Sequence, residues 1–219
     1  MSKESLHPGD TIGNTYIDIG ADTEEGYDIS SRSREIARKT IGDKTPEDRI
    51  RQRCSIAVGD FAMAELIRFC NDPVSAGLAA LAEGAPVFTD IRMVETGIQK
   101  KGHKSHVHCV LDIQAETELS GSITRTSAGF LAARDQLDGS IIVIGNAPSA
   151  LLVVCDMIRD GCKPALVIGT PVGFVNAAES KEVLRTISVP SISNEGTRGG
   201  TPIAVAALNE IITMFVSRQ

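Results

Sequence analysis

Four short stretches carry side chains able to do chemistry. In Arg51–Asp60, RQRCSIAVGD, the guanidinium of Arg53 stands three places before Ile56, among residues of half-buried character, and the stretch ends on the turn pair Gly59-Asp60. A surface helix with snorkelling arginines accounts for this, and so does a pocket wall that holds an anion. In Thr124-Arg125-Thr126-Ser127 an arginine leads directly into an Ala-rich run. Its guanidinium and the first amides of a helix could hold one carboxylate together. The plainer alternative is that Thr124 or Thr126 caps the helix and Arg125 lies in solvent. The segment GHKSHVHC gathers His103, His106 and His108, three of the four histidines. On a strand His106 and His108 would share a face as a metal pair, but no acidic ligand has suitable spacing and Cys109 falls on the opposite face. A solvated hairpin tip is the preferred reading there. Finally GNAPSA, residues 145–150, is a turn of small residues, open to close ligand approach or needed only to turn a strand into a helix.

The elements that must position these groups are legible from punctuation and periodicity. Residues 1–26 read as an extended N-terminal arm and 27–219 as a single domain. Ser30–Ile41 is charged and helical, and Pro46 suits the first turn of a second helix through about Val58, capped by Thr45. Asp72-Pro73 marks a turn before an Ala-rich helix over Val74–Glu83 that Gly84 ends. Strands are expected at Pro86–Asp90 and Val107–Ile113, with a turn and helix over Arg92–Gly97 and a helix over Ser127–Leu137. Ile141–Ile144, GNAPSA, Leu151–Arg159 and Ala165–Ile168 then form a strand–turn–helix–strand unit. Its strands are continuously apolar, as in a parallel sheet covered on both faces. Pro190–Ser193 and Thr201–Val216 supply a last strand and a C-terminal helix. The expected fold is α/β, a three-layer α/β/α, Rossmann-like domain with a mostly parallel sheet.

In such sheets ligands sit beyond the carboxyl ends of the strands. The loops there are TDIRMVETG, GNAPSA, GTPVGFVNAAESK and SNEGTRGG. Helix N-termini near Ser149, Ala177 and Thr201 would aim positive dipole ends into the same crevice. There is no G-x-G-x-x-G and no G-x-x-x-x-G-K-[ST], so dinucleotide and P-loop readings lose their specific support.

Composition narrows the partners. The net charge of -6 argues against non-specific nucleic-acid or membrane binding, so any anionic ligand needs a local basic cluster. Absence of Trp and an aromatic content of 4% disfavour stacking platforms for single strands. No apolar run is long enough to cross a bilayer, and MSKESLHPGD lacks a signal-peptide apolar core. Five scattered cysteines without a C-x-x-C pair argue against structural zinc and fit a reduced cytoplasmic setting.

Longer strings then add a family. LDGSIIVIGNAPSALLVVCDMIRDGCKPALVIGTPVGFVNAAESKEVL, residues 137–184, resembles the precorrin-8X methylmutases of the late corrin pathway, through GNAP-[ST]-AL and PVGFV-x-AAESK above all. GAPVFTDIRMVETGI, the Thr124-Arg125 pair, the RGG…AALN of the last helix and Arg32-Ser33-x-x-Ile36 match as well, so the resemblance covers roughly residues 27–212. It implies an α/β/α homodimer that needs no cofactor and moves a methyl group from C-11 to C-12 of a precorrin-8-type tetrapyrrole, cobalt-free or cobalt-bound. The product is hydrogenobyrinate or its cobalt form.

The resemblance also implies which residues meet the ligand. Ser33 and Arg53 match the family's substrate-contacting Ser and Arg. Arg92, Thr124, Arg125, Asn146, Ala147, Lys181 and Arg198 fall in or beside the ligand loops. The family's general acid/base is a histidine three places after the arginine, and that position here is Ile56, so no catalytic residue is assigned. Two expectations follow: a methylmutase that works without this acid, or a non-catalytic corrinoid-binding paralogue.

Overall fold

The computed structural model describes residues 23–113 and 123–219, so most of the expected N-terminal arm lies outside the described residues. Helix α1 spans Glu24–Ile41 and starts earlier than expected, because the Thr23 side chain accepts from the Gly26 amide at 3.0 Å. Helix α2, Pro46–Val58, has the expected start. Thr45 Oγ1 accepts from the Asp48 amide at 3.2 Å while Asp48 Oδ2 accepts from the Thr45 amide at 3.1 Å, a reciprocal cap. Gly59, at φ 65°, ends it in the left-handed conformation that glycine adopts without steric cost.

The chain continues through α3 (Ala62–Leu66), β1 (Ile67–Cys70), α4 (Pro73–Ala82), β2 (Val87–Thr89), α5 (Arg92–Gly97) and β3 (Val107–Cys109). After it come α6 (Arg125–Ala132), β4 (Ile141–Ile144), α7 (Pro148–Arg159), β5 (Leu166–Gly169), α8 (Ala177–Arg185), β6 (Ser191–Asn194) and α9 (Thr201–Val216). Among the described residues six strands form one sheet in the order β1-β6-β5-β4-β2-β3. Every neighbouring pair is parallel except β1 with β6. The mostly parallel three-layer expectation is therefore what the fold shows.

Other elements differ from expectation as well. Strand β1 and the short α3 before it carry no strong sequence signal, since IRFC is a brief edge strand, half-solvated, with Arg68 inside it. The expected strand over Val107–Ile113 stops at Cys109, and Val110–Asp112 turn into a 3-10 helix. There Val110 is fully buried, and α6 lies so close that a Cβ on Gly129 would run into the Val110 carbonyl.

Alternation along the strands divides the core in two. Ile141 and Val143 of β4, with Leu166 and Ile168 of β5, face α4, α5 and α9, while Ile142, Ile144 and Val167 face α6 and α7. All four residues of β4 are fully buried, as a central parallel strand covered on both faces requires. Helix α9 also anchors the outer helices through the buried Glu210. Its carboxylate accepts from Arg34 Nη2 at 3.1 Å and from Arg49 Nε at 2.9 Å, tying α1 and α2 to the sheet-facing layer.

Candidate functional site

The loops after β2, β4, β5 and β6 meet at one end of the sheet, and a buried carboxylate fixes the first two. Asp90, directly after β2, is fully buried. It accepts from the amides of Gly145 at 3.2 Å, Asn146 at 2.7 Å and Ala147 at 2.9 Å. Burial pushes its carboxyl above the usual range, against the pull of these amides. The turn GNAP thus has a structural cause, and Gly145 is needed in it. A Cβ there would come within 2.9 Å of the Thr201 Cα and of Val94. The Asn146 side chain remains exposed on top, while Ala147 is buried beneath it.

A group of hydroxyls joins the neighbouring helix starts. Thr124 caps α6 by accepting from the Ser127 amide at 3.3 Å, which answers the open question of that stretch in favour of a Thr124 cap. Its Oγ1 also lies 2.9 Å from Ser149 Oγ at the start of α7 and 2.8 Å from Ser127 Oγ. Arg125, the first residue of α6, is exposed beside them.

The β6–α9 loop is braced from below by Lys181. This side chain is fully buried, and its ammonium donates to the Arg198 carbonyl at 2.6 Å and to Asn194 Oδ1 at 3.3 Å. Burial pushes the Lys181 ammonium down to about 8. Asn194 Nδ2 donates to the same Arg198 carbonyl and to the Glu195 carbonyl. Gly199, at φ 149°, could not carry a side chain, because a Cβ would run into the Thr170 carbonyl. The Arg198 guanidinium is thereby aimed at Asp60, with which it forms an ion pair that holds the Asp60 carboxyl below its usual range. This pair ties the turn after α2 to the crevice.

On α2 itself Arg53 and Ile56 are both half-buried, one turn apart. Neither neighbour is an acid. The Cys54 thiol is buried, donates to the Ile203 carbonyl at 3.7 Å and is pushed up to about 12, chiefly by burial. The Ser55 hydroxyl is buried without a hydrogen-bond partner.

The histidines stand elsewhere. His103 Nδ1 accepts from the Ser105 amide at 3.2 Å, so its Nε2 donates to the Gln99 carbonyl at 2.6 Å. His106 and His108 are exposed, with ring centroids 6.4 Å apart, and His108 stacks on Phe88 at 5.4 Å. Among the described residues no group of three or more His, Cys, Asp or Glu could hold a metal ion. Strand β3, which carries His108, is one edge of the sheet, and β1, whose Phe69 ring lies 4.8 Å from the Arg51 guanidinium of α2, is the other.

The other residues singled out from the sequence have definite places. Arg92 is spent on Asp112, with both terminal nitrogens engaged. Ser33, on α1, donates back along its own helix to the Ile29 carbonyl at 3.0 Å. Thr124, Arg125, Asn146 and Arg198 gather at the carboxyl end of the sheet, with Lys181 beneath them. Reasoning from sequence missed Asp90, Asp60 and Asn194. Asp90 could have been found, since a carboxylate that directly follows a short buried strand must meet donors in the next loop.

The family model described as CbiC, precorrin-8X methylmutase, matches residues 28–214. A cobalt-precorrin-8 methylmutase of Methanocaldococcus jannaschii is 40% identical over 207 residues, covering 89% of this chain and 96% of that one. A precorrin-8X methylmutase of Pseudomonas aeruginosa is 42% identical over 166 residues, covering 72% and 79%. Among solved structures, the precorrin-8x methyl mutase of Thermus thermophilus superposes with a TM-score of 0.81 at 34% identity, covering 88% of this chain and 97% of that one.

Proposed function

The chain belongs to the precorrin-8X methylmutase family, and we propose that it is an isomerase of cobalamin biosynthesis, moving the C-11 methyl group of a precorrin-8-type tetrapyrrole to C-12. One observation carries this reading. The family strings GNAPSAL, PVGFVNAAESK, Thr124-Arg125 and the RGG of the last helix, separated by up to 76 positions in sequence, fall together at the carboxyl end of one sheet. The substrate is a wide ring edged with acetate and propionate arms. Arg125 and Arg53 supply charge for those arms, and Asn146 a neutral polar contact. Arg198, Lys181 and Asp90 act on the ligand indirectly, by fixing the loops.

The rearrangement breaks the bond between the methyl carbon and C-11 and forms one to C-12 within a single molecule. Nothing leaves the substrate and nothing is added. The chain's tasks are to orient the ring and to shield it from water, and Ile56 offers apolar surface where a proton donor is expected. A homodimer in the cytoplasm is part of the same reading. Ile56 also favours a second reading, a corrinoid-binding paralogue without turnover.

The test incubates purified protein with the C-11-methylated precorrin, cobalt-free and cobalt-bound in separate arms, and follows the absorption change of the ring. Turnover supports the methylmutase reading and identifies the preferred form. Tight binding without turnover establishes the paralogue, and absence of binding overturns both.

A further inference from the structure

The loop between β5 and α8 carries apolar side chains that the fold does not use. Phe174 is 94% exposed, Val175 76% and Val172 45%. Of the nine large hydrophobic residues exposed among the described residues, these three, Met93 at the start of α5, and Val58 and Phe61 beside Asp60 all belong to segments at the carboxyl end of the sheet. Leaving such side chains in water forgoes the stabilisation that burial gives, and clustered apolar surface of this kind marks a binding region.

The loop is held firmly. The Gly173 amide donates to the Thr197 carbonyl at 3.1 Å and the Gly200 amide to the Thr170 carbonyl at 2.7 Å, so the stretch leading to Phe174 is tied at two points to the turn that Lys181 braces. Asn176 closes it at φ 61°, a left-handed conformation that few non-glycine residues adopt. A braced loop presents its side chains without a large ordering cost on binding. Its surroundings are of the opposite character, with Asn146 and Arg125 exposed on the loops that follow β4 and precede α6. An apolar tip beside cationic and amide groups matches a ligand with flat apolar faces and an anionic edge.

We infer that the Val172–Val175 tip is the platform on which one face of the tetrapyrrole ring packs, with Phe174 as its main contact. The inference rests on the functional reading above and assigns its ring-face contact. The occupant is the macrocycle, not a second copy of the chain.

Two variants test it, with hydrogenobyrinate as the probe. Phe174→Ala weakens binding in an absorbance titration by about tenfold or more, the loss expected for one buried aromatic contact, while far-UV circular dichroism stays unchanged because the side chain touches solvent. Phe174→Trp introduces an indole into a chain that has no tryptophan. That indole is open to acrylamide quenching in the free protein at every protein concentration and is shielded once hydrogenobyrinate is added. Unchanged affinity in Phe174→Ala overturns the inference while leaving the functional reading intact. Shielding that grows with protein concentration alone overturns it in favour of a subunit contact. Failure of the unmodified protein to bind hydrogenobyrinate removes the functional reading and this inference with it.

Discussion

A half-buried isoleucine at the end of α2 sits one turn from Arg53, at the position where the family resemblance implies a proton donor. Its neighbours do not replace the missing acid. The Cys54 thiol is turned inward onto the Ile203 carbonyl and titrates near 12, Asp60 is paired with Arg198, and the histidines of GHKSHVHC lie towards the other edge of the sheet. Ile56→His is therefore expected to raise turnover by about 100-fold, the lower end of what a positioned general acid supplies, measured as kcat on the C-11-methylated precorrin. An unchanged rate would mean that ring orientation alone limits the reaction. Lys181 gives a second prediction at this scale. An ordinary lysine titrates near 10.5 and this one near 8. Between those values the unfolded chain holds a proton that the folded chain has released, so stability rises with pH across that window. Below about 8 both states hold it, and the cost of burying the charge is present in full. In urea unfolding from pH 7.5 to 10 the wild type should gain stability relative to Lys181→Met. A difference that stays flat would show that the ammonium is not strained by burial. That position 56 takes the place of a family histidine is an expectation from its spacing from Arg53 and the family resemblance, and the Ile56→His variant tests it. The burial of Lys181 was not legible, because the sequence placed it among groups that meet the ligand, and only the fold turns its ammonium onto the Arg198 carbonyl and Asn194.

At the scale of elements, one carboxylate organises two of the four loops. Asp90→Ala leaves the amides of Gly145, Asn146 and Ala147 without their acceptor in a buried place. Each unsatisfied group costs on the order of 1–3 kcal/mol, so a loss of about 3 kcal/mol or more is expected in urea unfolding. Asp90→Asn should fall between, since its amide oxygen still accepts while its NH2 faces other donors. Equal stability of all three proteins would mean that water satisfies the turn. The strand–turn–helix–strand unit around GNAPSA was readable because Ile141–Ile144 is apolar at every position, as both core clusters require. Strand β1 was not, because an edge strand of four residues gains its structure from pairing with β6 and leaves little periodicity of its own.

At the scale of the whole molecule, the exposed large apolar side chains among the described residues fall in two places, the carboxyl end of the sheet and the outer face of α1. On α1, Ile29 and Ile36 are exposed two turns apart, while Ala37 is buried towards the body. If that face joins the proposed homodimer, sedimentation of the wild type gives twice the monomer mass. Ile29→Glu with Ile36→Glu gives a monomer whose circular dichroism is unchanged. A dimer that survives the double substitution places the contact elsewhere. The direction of β1 has an effect on the molecule's reach. Strands of a parallel sheet all set out from the end remote from the ligand, so the segment preceding each of them is delivered to the wrong pole. By running the opposite way, β1 starts level with Asn194, where β6 finishes. The chain arriving from α2 is thus brought to the ligand pole before the strand begins. One reversed strand recruits a helix C-terminus, and with it Arg53, Ile56 and Asp60, to a rim otherwise built from the loops that leave parallel strands.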